Sequence, residues 1–249
     1  MKATLSVITI VYNNVRDIER TMLSVLEQTF PDIEYIVIDG QSTDGTLKIL
    51  EKYRSKLAHL ISEPDQGIYD AMNKGLALAT GNYILFMNSG DEIYSKDTVT
   101  EVFDCAPSAD MYYGETEMYN DQWESIGQRR HHAPQAFSWR SFRLGMSVSH
   151  QAIYIKRSLV EPYDLTYKYS SDIDWIIKAA KKASYIVNTR MYVAKYLVGG
   201  VSKKKHLASL KERFLILSKY YGVVPNLINH FFIALNLAGY YIRHRRTND

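Results

Sequence analysis

The chain has 249 residues, a net charge of +3, 46% hydrophobic residues and 12% aromatics, which excludes a disordered or collagenous chain and allows one large domain with a substantial core. A single cysteine, Cys105, excludes an internal disulfide framework. No basic-then-apolar stretch precedes the first strand-like segment, so a cytoplasmic location is expected.

Charge is unevenly placed. Residues 203–249 carry nine Lys or Arg against two acids, a local +7 that leaves −4 on residues 1–202. An acidic body with a basic C-terminal tail points the tail toward an anionic surface and argues against nucleic acid as a partner.

TLSVITIVY (4–12) is β-branched and almost wholly apolar, the pattern of a strand buried on both faces of a parallel sheet. Arg16 to Thr29 places Ile18, Met22, Val25 and Leu26 on one helical face, and Phe30-Pro31 stops it. IEYIVID (33–39) is the next strand, followed by the turn GQSTDGT, in which Ser42 or Thr43 is expected to cap the helix LKILEKYR. KLAHLIS, the helix IYDAMNKGLALAT and the strand NYILFM (82–87) complete four strand–helix alternations. Such alternation predicts βαβ units whose ligands bind at the carboxyl ends of the strands. Those ends hold Tyr12 and Asn13, Asp39, Glu63 to Asp65, and Asn88 to Glu92. Beyond residue 107 the pattern loosens into short strands (MYYGE, AIYIK, SYIVN) and one clear helix near DIDWIIKAAKK.

Two phosphate loops are excluded. GQSTDGTL has glycines at P-loop spacing but Thr46-Leu47 where Lys and Ser/Thr are required, and no G-x-G-x-x-G follows the first strand.

SVITIVYNN, IEYIVIDGQSTDGT and SEPDQGIYDAMNKGLALATGNYILFMNSGDE, taken in order over about the first 95 residues, resemble the family-2 glycosyltransferases. The resemblance implies a GT-A fold: α/β, a Rossmann-like and mostly parallel sheet flanked by helices, here with a C-terminal helical extension. It divides the chain into a GT-A domain over 1–202, with a nucleotide-sugar half (1–106) and an acceptor half (107–202), and a basic amphipathic tail over 203–249. It further implies inverting, metal-dependent transfer of a sugar from a UDP- or GDP-linked donor, with Mn2+ or Mg2+ as cofactor. The acceptor it implies is an oligosaccharide, lipid-linked, in surface polysaccharide synthesis.

Carried over by position, Asp39 resembles the acid that holds the nucleotide, and Val11, Tyr12 and Asn13 sit where the first strand end packs on the base. Asp65 is a second nucleotide-side acid. FMNSGDE departs from the family's acidic D-x-D motif: Asn88 stands first and Gly90 third, leaving Asp91 as the metal carboxylate and Asn88 as a sugar or ribose contact. One carboxylate can suffice for Mg2+ or Mn2+ when diphosphate and water complete the shell. SSDIDWIIKAAKK resembles the family's later acidic segment, which makes Asp172 the general base, with Asp174 second. Both acids would also stabilise a helix N-terminus without catalysis. His150, in HQAIYIKR, is expected to donate to the leaving diphosphate or line the acceptor pocket. Arg129, Arg130, His131 and His132 form a basic cluster suited to a pyrophosphate or an acidic acceptor, or else a solvated loop.

In the tail, LASLKERFLILSKYYGV has an apolar stripe at 207, 210, 214, 217 and 221, and NLINHFFIALNLAGYYI is an uncharged run closed by RHRR. The run is short and polar for a membrane span and fits an interfacial helix on the inner membrane surface. Packing on the body or in a homodimer is the alternative. Two rival functions remain at this level: a nucleotidyltransferase making a nucleotide-sugar, and a catalytically inactive nucleotide-sugar-binding subunit.

Overall fold

β1 (Leu5–Val11) is buried at all seven positions, as a run of seven residues with six β-branched or leucine side chains requires when both faces of a sheet are covered. It is the hinge of the architecture in a computed structural model that describes residues 4–129, 132–146, 148–199 and 206–233. On one side β1 pairs in parallel with β2 (Ile33–Asp39), and β2 with β3 (His59–Ser62). On the other it pairs in parallel with β4 (Tyr83–Phe86). The crossovers are α1 (Ile18–Leu26), α2 (Thr46–Lys52) and α3 (Ile68–Leu78). α3 lies so close over the sheet that a Cβ at Gly75 would overlap the Ile8 side chain.

After β5 (Glu92–Ile93) and α4 (Thr98–Asp104) the chain adds β6 (Met111–Tyr119), β7 (Ser125–Gln128), β8 (Ile153–Lys156), α5 (Ser171–Lys182), β9 (Ile186–Leu197) and α6 (His206–Tyr221). Residues 223–233 continue as helix after a break at Gly222. The sheet order is β3-β2-β1-β4-β8-β6-β9-β5, with β7 on β6. The N-terminal half is therefore parallel, while β8 joins β4 and β6 antiparallel. β6 and β9 run parallel along most of their length.

The second helix has Gly45 at its N-cap, two to three residues later than the expected Ser42 or Thr43. Asp44 Oδ1 accepts from Thr46 N at 3.0 Å and Thr46 Oγ1 at 2.6 Å. Ser42 and Thr43 instead bond to Asn13. In α6 the buried positions are Ser209, Ile216 and Leu217, while Leu207 and Leu210 of the expected stripe face out.

Candidate active site

The strand ends converge as the βαβ rule requires. A cavity of about 730 Å³ opens where the chain reverses direction across the sheet, between β1 and β4. Val11, Tyr12, Asp65, Asn88 and Ser89 line one side, Ile68 and Tyr69 of α3 the floor, and Tyr167, Lys168 and Tyr169 the far wall. Tyr12 is 65% exposed, an aromatic face standing free at a strand end, which suits stacking of a flat ring. The far wall is fixed from α6, where Glu212 accepts from Lys168 N at 2.8 Å and Tyr169 N at 2.7 Å.

Asp65 stands over the first turn. Its Oδ1 accepts from Gly67 N at 2.8 Å, and a Cβ at Gly40 would overlap its Oδ2. Glycine at 40 is what lets this carboxylate lie beside Tyr12. Asp39, expected to hold the nucleotide, does not line the cavity. It is fully buried and accepts from Ser62 Oγ at 2.6 Å and Ser42 N at 3.1 Å, so its observed contacts hold the turn rather than face the opening. Asn13, with φ 47°, accepts from Thr43 N at 2.8 Å and ties the first loop to the second. Its neighbour Asn14, which sequence reasoning missed, lines the cavity and donates to Ser89 Oγ at 2.9 Å. The only signal for it was its place one residue further along the same polar pair.

From Asn88 a hydrogen-bonded chain runs inward. Asn88 Nδ2 lies 2.8 Å from His150 Nε2, and His150 Nδ1 lies 3.4 Å from Asp172 Oδ2. Tyr69 OH donates to Asp172 Oδ1 at 3.1 Å. Burial pushes the Asp172 carboxyl up, but the His150 hydrogen bond and charge, Arg213 and Tyr69 outweigh it, and the net shift is downward. Asp172, His150 and Asn88 are thus brought together, with Asn88 and Tyr69 forming the wall between the pair and the cavity. Asn88 Oδ1 is shielded and has no partner among the described residues.

Asp174 is not part of this group. It is 1% exposed and bonds Lys178 Nζ at 2.7 Å, Lys219 Nζ at 3.0 Å and Tyr220 OH at 2.7 Å. Its position two residues after Asp172 turns it to the opposite side of α5, where it fastens α6 to the body. The expectation of a second catalytic acid is corrected to a structural anchor.

Asp91 also departs from expectation. Its Oδ2 accepts from Gln151 Nε2 at 2.6 Å and its Oδ1 from Leu197 N at 3.2 Å. It is 5% exposed, and burial raises its pKa from 3.8 to about 6. Both oxygens thus serve the β4, β8 and β9 ends, and Gly90 supplies no ligand where the family motif has its acid. No group of three or more His, Cys, Asp or Glu side chains suited to a metal occurs among the described residues. A hard divalent cation favours several oxygen ligands with at least one free carboxylate, so this donor set does not fit Mn2+ or Mg2+. Glu92, next to it, pairs with Arg20 at 3.5 Å and Lys195 at 3.3 Å on the other face of the sheet. Arg130 and His131 of the basic cluster lie outside the described residues, while His132 Nδ1 lies 4.0 Å from Glu115.

An open sheet with its cavity at the β1–β4 switch and a mixed second half is the GT-A class of architecture. Residues 6–161 match Glycosyl transferase family 2, and the chain belongs to that family: it is a glycosyltransferase. A PGL/p-HBAD biosynthesis glycosyltransferase of Mycobacterium bovis is 32% identical over 191 residues, 72% of this chain and 71% of that one. Among solved structures, residues 1–349 of Staphylococcus aureus TarS superpose with a TM-score of 0.69 at 23% identity, covering 92% of this chain and 72% of that one. The same TarS fragment is known in complex with UDP-GlcNAc. The mannosyltransferase PcManGT of Pyrobaculum calidifontis, in complex with GDP-Man and Mn2+, gives a TM-score of 0.60 at 16% identity, covering 97% and 80%. These structures share the fold.

Proposed function

We propose that the protein moves one sugar, with inversion, from a UDP- or GDP-linked donor to a hydroxyl of a lipid-linked oligosaccharide during surface polysaccharide synthesis. The observation that carries this reading is the Asn88–His150–Asp172 chain, which ends on the wall of the cavity that Tyr12 and Asp65 line. Tyr12 and Val11 stack the base, and Asp65 accepts from base or ribose. The acceptor oxygen attacks the anomeric carbon opposite the leaving group, the nucleoside diphosphate leaves with the bonding electron pair, and the hydroxyl proton passes to Asp172 as Tyr69 gives up its hydrogen bond to Oδ1. The bound donors of the two structural neighbours support a nucleotide-sugar. The Mn2+ or Mg2+ that the family resemblance implied has no role in this proposal, because Asp91 is committed to Gln151 and Leu197.

The lipid-linked acceptor is supported by the C-terminal helices. Leu207, Val224 and Phe231 are 82%, 68% and 62% exposed, and Leu227, Ile228 and Phe232 lie beside them. No described helix is long and apolar enough to cross a membrane, so the reading is peripheral contact with the cytoplasmic membrane face, with a homodimer as the competing use of the same surface.

The test is turnover of a panel of UDP- and GDP-sugars with membrane lipid extract as acceptor source. Release of UDP or GDP from one donor, reduced about 100-fold or more in Asp172→Asn, is expected. Donor binding without cleavage under every condition would make the protein a binding subunit. Pyrophosphate release from a nucleoside triphosphate and a sugar phosphate would make it a nucleotidyltransferase.

A further inference from the structure

A second cavity, of about 480 Å³, opens between α1 and the β5–β9 edge of the sheet and shares no lining residue with the donor cavity. A chain of charged and aromatic side chains builds its wall. Arg20 is stacked on Trp123, its guanidinium carbon 3.8 Å from the ring centre, and its Nε lies 3.5 Å from Glu92 Oε1. Glu92 Oε2 accepts from Lys195 Nζ at 3.3 Å. Lys195 Nζ in turn lies 5.9 Å from the ring centre of Tyr94, which is stacked on Tyr192 with ring centres 5.3 Å apart. Glu92 is 8% exposed, yet its Oε1 is shielded and makes no hydrogen bond among the described residues. A buried carboxylate oxygen without a donor is costly, so an occupant that donates to it is favoured.

The lining defines the class of occupant. Arg16, Arg20, Lys96 and Lys195 are met by Glu19, Glu27 and Glu92, a near balance of charge that disfavours a multiply charged ligand such as a nucleoside diphosphate. A sugar hydroxyl donates and accepts at once. Acids and cations interleaved around a tyrosine therefore pair with neighbouring hydroxyls, while the apolar side of the sugar ring lies on the aromatic surface. The volume falls within the range of small-ligand sites. The two cavities also adjoin. Asn14 and Ser89 line the donor cavity, and Arg16 and Glu92 line the second, so at most about 11 Å of chain separates their walls. We propose that the second cavity is a saccharide subsite, which holds sugar units of the acceptor chain beyond the one that receives the transfer, with Glu92 and Arg20 at its centre. The assignment rests on the oligosaccharide acceptor of the reading above.

Saturation-transfer NMR on the full chain, with glucose, galactose, mannose, rhamnose, N-acetylglucosamine and lactose as probes, tests it without turnover. The expected result is transfer to at least one saccharide that persists with saturating UDP or GDP and in Tyr12→Ala, whose lesion lies in the donor cavity. Saccharide affinity falls roughly fivefold in Glu92→Gln, which loses the charge-assisted hydrogen bond. It also falls in the double variant Glu27→Ala/Lys96→Ala, whose two positions are exposed, so that lost binding there is not lost folding. In turnover with membrane lipid extract, both variants raise the acceptor KM severalfold and leave the donor KM unchanged. A saccharide signal displaced by UDP or GDP, an affinity equal in wild type and both variants, or no signal from any probe overturns the subsite and leaves the donor reading intact. A chain that binds a saccharide here but neither UDP nor GDP overturns the donor reading alone.

Discussion

Asp91 is the residue at which a metal-ligand role and a structural role predict opposite behaviour. Its carboxylate accepts from Gln151 and from the Leu197 backbone and is 5% exposed, with a pKa raised from 3.8 to about 6 by burial. For a carboxyl raised on folding, the stabilising contribution is complete below the unfolded value near 3.8 and is lost as pH rises through about 6. Two pKa units at 1.36 kcal/mol each put the whole effect at about 3 kcal/mol, of which roughly half falls between pH 5 and pH 8. Asp91→Asn removes the titration while keeping both hydrogen bonds, because Gln151 can turn its amide to present the oxygen. Asp91→Ala leaves two buried donors unmet and costs about 2–4 kcal/mol. Urea unfolding followed by tryptophan fluorescence at pH 5, 6.5 and 8 should therefore show wild type losing about 1.5 kcal/mol relative to Asp91→Asn over that range. Equal pH dependence in the two proteins, together with a thermal stabilisation by Mn2+ that Asp91→Asn abolishes, would refute the structural role and restore Asp91 as a ligand.

Two further outcomes follow from the same geometry. Gly40→Ala forces Asp65 off its place beside Tyr12; because only a flexible side-chain tip must move, the fold should lose less than about 1 kcal/mol, while nucleotide affinity drops several-fold. A calorimetric titration showing unchanged affinity would remove Asp65 from the donor site. Asp174→Ala unties Lys219 and Tyr220 of α6; since the Lys219 side chain is 47% exposed, the ionic part is discounted and the loss is about 1–2 kcal/mol. Amide hydrogen exchange should quicken across 206–221, and unchanged exchange there would mean that α6 is held by other contacts.

The parallel half of the sheet was legible because its signal is local. Ile33–Asp39 reads as a strand from its own residues, and its seven pairings with β1 follow from the connecting helix. The strand-end rule gathers Tyr12, Asp65 and Asn88, and all three line one cavity. β6 and β9 were fragmentary in the sequence, as MYYGE and SYIVN, because each carries polar residues, Glu115 and Glu117 in β6 and Asn188 and Arg190 in β9, at positions that are not fully buried. Their mutual pairing across some 75 residues, not their composition, makes strands of nine and twelve residues. Asp91, Asp172 and Asp174 show the same limit at the site. Each is an acid at a motif position, but which lone pairs are taken depends on Gln151, His150 and Lys219, brought in from other segments.

The basic tail shows how a correct charge count can point in the wrong direction for part of its residues. Counted along the chain, Lys219 and Arg213 belong to the +7 expected to face an anionic surface. In the fold Lys219 meets the buried Asp174, and the shielded Arg213 Nε lies within the electrostatic reach of Asp172, so these two charges act within the body. On its outer face α6 exposes Leu207, Leu210 and Leu215 alongside the charged Lys211. The same helix therefore couples its outer face to the 168–169 wall of the cavity through Glu212. If lipid binding orders α6, it also sets the 168–169 wall, and donor affinity should rise when anionic vesicles are present. That linkage is reciprocal by thermodynamic necessity, so a nucleoside diphosphate should tighten vesicle binding by the same factor, and Glu212→Ala should uncouple the two while leaving each ligand bound.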